Sequence, residues 1–108
     1  MDKKGTKLLL IEELEINIKI LDAYIEYAKA NNLDEIDTRK KYLNILFKQD
    51  NWNKFKEDIL LIDNGKYSNE IMYIYKMFFM IDNTNGIVKI ENPKNTLVKI
   101  NELLKILK

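Results

Sequence analysis

At 108 residues and 12.9 kDa, the chain can bury one core of ordinary size but not two. Apolar residues make up 46% and charged residues 32%, a globular composition, and 18 basic against 17 acidic side chains leave a net charge of +1. With no Cys and no His, the composition excludes disulfides, thiol nucleophiles, zinc sites built on those ligands and the usual general base near neutral pH.

The charge is spread evenly. Residues 1–54 carry 10 basic and 10 acidic side chains, and residues 55–108 carry 8 and 7. One Ser and three Gly leave little material for a catalytic triad or a phosphate-cradling loop. The apolar run at residues 8–11 is stopped by Glu12 and Glu13, too soon for a secretory signal, and Asp2 in place of Gly excludes N-myristoylation. No apolar stretch approaches the roughly 20 residues of a membrane helix. The expectation is a soluble, cytoplasmic protein with no membrane partner and no cofactor. The abundance of Ile, Asn and Lys, with a single Arg, points to an AT-rich genome.

Periodicity then sets the elements in chain order. Ile11, Leu14, Ile18, Leu21, Ile25 and Ala28 step by three and four, predicting a helix over residues 6–30. Ile16, Ile20, Tyr24 and Tyr27 form a second apolar stripe on nearly the opposite side, since each residue turns the helix by about 100°. That stripe belongs either to the middle of a bundle or to an interface. Asn31 and Asn32 end this helix, and Asn32 or Asp34 can cap a second one reaching about residue 48, with Ile36, Leu43 and Phe47 inside. Asp50 or Asn51 caps a third, with Trp52, Phe55, Ile59 and Ile62 inward, and Gly65 supplies the left-handed residue beyond its end. Ser68 caps a fourth. Its residues 71–81 are apolar all round apart from Lys76, which predicts a buried helix, with a buried strand as the alternative.

Residues 82–86 form a turn by composition, residues 87–90 a short extended piece, and Pro93 disfavours helix at Asn92. Asn95 or Thr96 caps a last helix with Leu97, Ile100, Leu104 and Leu107 on one stripe. The fold class is therefore all-α: a single domain of four to five helices with short connections.

Few constellations point to chemistry. Around Gly86 the spacing approaches an EF-hand loop, but Ile81 and Asn92 stand where the first and last anionic ligands belong, so a plain turn is expected. The pairs Glu12/Glu15, Asp34/Asp37 and Glu57/Asp58 read as solvated helix faces rather than acid–base or metal pairs. Arg39, Lys40, Lys41 and Lys48, with Lys54 and Lys56 beside Trp52 and Phe55, give a basic, aromatic-interleaved candidate for nucleic acid. Neighbouring acids cancel its field. The chain is expected not to be an enzyme and to bind no metal.

The expected function is a non-enzymatic module that binds a larger protein, with Ile16, Ile20, Tyr24 and Tyr27 as contact residues. A nucleic-acid-associated protein and a self-assembling subunit, paired through the first helix, are the alternatives. The size, the helical reading and the Ile-, Lys- and Asn-rich composition are loosely compatible with small bacteriocin-immunity proteins or phage or mobile-element inhibitors such as anti-CRISPR proteins, an association that no motif carries.

Overall fold

The computed structural model describes residues 3–40 and 46–108. Over those residues it is 78% helical, 3₁₀ turns included, with four α-helices and one small antiparallel sheet. Helix α1 (Lys3–Ala30) is followed by strand β1 (Glu35–Asp37) and a 3₁₀ turn (Thr38–Lys40). Helices α2 (Asp50–Leu60) and α3 (Ser68–Asn83) flank a second 3₁₀ turn (Ile62–Gly65), and strand β2 (Ile87–Lys89) leads into α4 (Glu91–Leu107).

α1 spans about 42 Å at 1.5 Å per residue, nearly the molecule's 44 Å long axis. It packs on α2 and α4, and α3 closes the ring by packing on the same two helices. Its buried seam is Leu10, Leu14, Leu21, Tyr24 and Ala28, together with the polar Asn17. The seam lies between the two stripes expected from sequence: Ile11, Ile18 and Ile25 flank it on one side, Ile20 and Tyr27 on the other, all half-buried against the core. Asn32 ends the helix in the left-handed region at φ 52°. The Leu33 N–H reaches back to Ala28 O at 2.8 Å and the Asn32 N–H to Lys29 O at 3.2 Å, which satisfies the last carbonyls.

The helix expected over residues 34–48 does not form over its described part. Glu35, Ile36 and Asp37 instead pair antiparallel with Lys89, Val88 and Ile87. Thr38 locks that ladder: its N–H and its hydroxyl both donate to Gly86 O, at 2.8 and 2.9 Å. Leu43 lies outside the described residues. Residues 46–49 are non-helical, yet Ile36 and Phe47 are buried as expected.

Three helix starts also differ from expectation. α2 begins without a side-chain cap of its own, and Ser68 is the first residue of α3 rather than its cap. α4 starts at Glu91 and takes in Asn92 and Pro93. Pro93 is harmless there, because the first four N–H groups of a helix have no intrahelical acceptor to lose. Thr96, well inside α4, donates its hydroxyl to Asn92 O at 2.8 Å. At the end of the second 3₁₀ turn Gly65 sits at φ +79°, the left-handed geometry expected of it.

The core is bound together by a run of aromatic rings. Tyr24 stacks on Phe47 at 6.0 Å, Phe47 on Phe78 at 4.6 Å, Phe78 meets Tyr75 edge-on at 5.3 Å, and Tyr75 stacks on Trp52 at 4.4 Å. The run draws rings from α1, α2, α3 and the segment before α2. Such pairs contribute about 0.5–1.5 kcal/mol each beyond the area they bury.

Candidate functional site

Two groups of residues stand out: a polar cluster inside the bundle and an apolar strip on its outside. The cluster is built by α1. Glu13 is 1% exposed and its carboxylate accepts from the N–H groups of Asn51 and Trp52, at 2.7 and 3.0 Å, and from the Tyr75 hydroxyl at 2.7 Å. A carboxylate from another helix thus caps the N-terminus of α2, where free N–H groups and the helix dipole both favour negative charge. One turn on, Asn17 accepts from the Lys48 N–H at 2.7 Å and donates to Lys48 O at 2.8 Å. Asp82 on α3 receives the Phe47 N–H at 3.2 Å and the Gln49 side-chain amide at 3.4 Å. Burial holds the Tyr75 phenol far above its ordinary range, helped by the Glu13 carboxylate beside it, so the hydroxyl keeps the proton it donates. Glu13 and Asn17 are buried and Asp82 half-buried, and their partners are backbone groups, the Tyr75 hydroxyl and the Gln49 amide. Their chemistry is that of clasps on residues 47–52.

The strip lies on α3. Only one side of that helix is buried, through Ile71, Ile74, Tyr75, Met77, Phe78 and Ile81. The expectation of a helix enclosed all round is corrected here: Met72, Tyr73, Phe79 and Met80 are 37–62% exposed along the outer side, with Lys76 among them. Exposed apolar residues singly are ordinary, but four grouped around Lys76 on one helix face make a surface of the kind found at interaction sites.

The contact residues expected on the first helix are dispersed. Tyr24 is 7% exposed and stacked in the core, so its ring is not available to a partner. Ile20 and Tyr27 pack partly against the core. Ile16 alone is exposed, at 43%, lining an open groove of about 700 Å³ between α1 and α4 with Lys19, Lys105 and Lys108.

The alternative basic set is divided as well. Arg39 is held by Asp37 through two side-chain hydrogen bonds of 2.9 Å, and Lys48 pairs with Asp50 at 2.9 Å. The side chain of Lys40 and the whole of Lys41 lie outside the described residues. Trp52 offers no free face for a base, since one face carries Tyr75 and Lys56 lies over the ring.

The three carboxylate pairs stay at the surface. Glu15 meets Lys108 at 3.5 Å, and no group of three or more acidic side chains among the described residues could hold a metal ion. In the EF-hand-like segment Ile81 is core and Val88 is ladder. No helix among the described residues is long and apolar enough to cross a membrane.

No family model matches the chain, and no curated protein or solved structure is detectably similar to it.

Proposed function

We propose that the chain is a non-enzymatic protein-binding module that docks on a larger protein through the outer face of α3. The observation that carries this reading is the exposure of Met72, Tyr73, Phe79 and Met80 along one side of a helix whose opposite side is fully packed. Aromatic residues are favoured at such surfaces because they present large area at low entropic cost, and Met because its flexible side chain adapts to the facing shape. The interior polar groups support it from the other direction, since Glu13, Asn17 and Asp82 are engaged in holding the chain together. A module of this kind acts by occupying a surface, as a stoichiometric inhibitor or an immunity factor does.

The test is site-specific photo-crosslinking. A benzophenone side chain at position 79 should give a discrete adduct with another protein in cells of the source. The same group at position 98, exposed on α4, should not. Adducts from both positions alike, or only a dimer of the chain, would count against the reading.

A further inference from the structure

The docking strip on α3 has an internal pattern. Met72, Tyr73, Lys76, Phe79 and Met80, bracketed by Asn69 and Asn83, follow steps of three and four, and at 100° per residue they fall within an arc of about 120°. That is the spacing of ridges and grooves that another helix can fill. One charge stands at its centre. Lys76 makes no ion pair among the described residues, and neither does Lys99, whose ammonium lies over the Tyr73 ring at 5.1 Å. The two carboxylates of α3, Glu70 and Asp82, are each six residues from Lys76 and lie about 60° beyond the Tyr73 and Phe79 edges, outside the strip, and Asp82 is engaged by the Phe47 N–H.

We infer that the partner presents an amphipathic helix with a carboxylate in the middle of its apolar face, seated along α3 so that this carboxylate meets Lys76. The inference rests on the docking reading above. A partner that seals the strip takes water away from the Lys76 ammonium and must return an acceptor, and a carboxylate returns both a charge and a hydrogen bond. A second copy of this chain does not fit. The antiparallel two-fold register that covers residues 69–83 on both copies is centred on position 76, and it sets ammonium against ammonium.

Three labelled synthetic peptides test this. They share one amphipathic helical sequence with Leu and Met on the apolar face and differ only in a central Glu, Gln or Lys. Fluorescence anisotropy gives their affinities for the wild type, Lys76→Glu and Phe79→Ala, and amide chemical shifts locate the contact. The wild type should bind the Glu peptide at least about tenfold more tightly than the Lys peptide, and Lys76→Glu should invert that order. The shifts should map to residues 72–80. Equal affinity for all three peptides, weakened in each case by Phe79→Ala, would keep the docking reading and overturn the carboxylate. No binding of any peptide at about 1 mM would overturn both. A wild-type chain that sediments as a dimer, made monomeric by Phe79→Ala, would assign the strip to a second copy and also overturn the inference.

Discussion

Glu13 on α1 and Tyr75 on α3, 62 residues apart in sequence, meet at 2.7 Å in the buried interior. The same carboxylate holds the first N–H groups of α2, so one side chain ties three helices together. Glu13→Gln keeps the shape but turns one acceptor oxygen into a donor that faces N–H or O–H groups. We expect a loss of about 2–3 kcal/mol, since unsatisfied buried groups and charge-assisted bonds each contribute on that scale. Urea unfolding measures it, and an unchanged midpoint would contradict the clasp.

Tyr24 belongs to the aromatic run of the core. Tyr24→Ala should cost about 3 kcal/mol or more by leaving a cavity beside Phe47. Ile16→Ala, at an exposed position, should cost well under about 1 kcal/mol. Similar losses in thermal denaturation would contradict the placement of the α1 seam.

Burial raises the Asp82 carboxyl above the ordinary aspartate range, while the hydrogen bonds from the Phe47 N–H and Gln49 pull the other way. The folded chain therefore keeps this proton to higher pH than the unfolded chain does. Its contribution to stability is full below the ordinary aspartate range and falls as pH rises through the raised value. Asp82→Asn removes the titration and keeps an acceptor for Phe47. The difference in melting temperature, variant minus wild type, should be more positive near pH 7 than near pH 3. An equal difference at both would contradict the shift.

Single-stranded DNA or RNA should bind weakly. Arg39 and Lys48 are already paired, and Trp52 is stacked on Tyr75. Filter binding near physiological salt should give dissociation constants no tighter than the non-specific range of about 10⁻⁶–10⁻⁴ M. A tighter complex lost on Lys48→Ala would revive the basic surface as a site.

How legible this was in the sequence depended on whether the cause was local. α1, α2 and α4 announce themselves because their apolar periods are set by packing along one element. The ladder of β1 on β2 does not, since three residues carry no period and Ile36 pairs with Val88 across the chain. Glu13 and Asn17 escape a reading of the sequence for the same reason: their partners at Asn51 and Lys48 lie far along the chain. A signal existed nonetheless, for position 17 falls in one three–four seam with Leu10, Leu14, Leu21 and Tyr24, and a polar residue inside a seam implies a buried partner. The outer strip of α3 was hidden differently. A segment apolar on every side gives no hint of which side the fold will leave uncovered.

The most direct measurement takes the protein crosslinked at position 79 and compares its affinity for the wild type and for the double variant Met72→Ala, Phe79→Ala, alongside their melting temperatures. Both side chains are exposed, so the account predicts an affinity loss of more than about 2 kcal/mol, roughly thirtyfold, with the melting temperature nearly unchanged. Unchanged affinity, or an early-melting variant that binds poorly because it unfolds, would contradict the assignment of the α3 face as the docking surface.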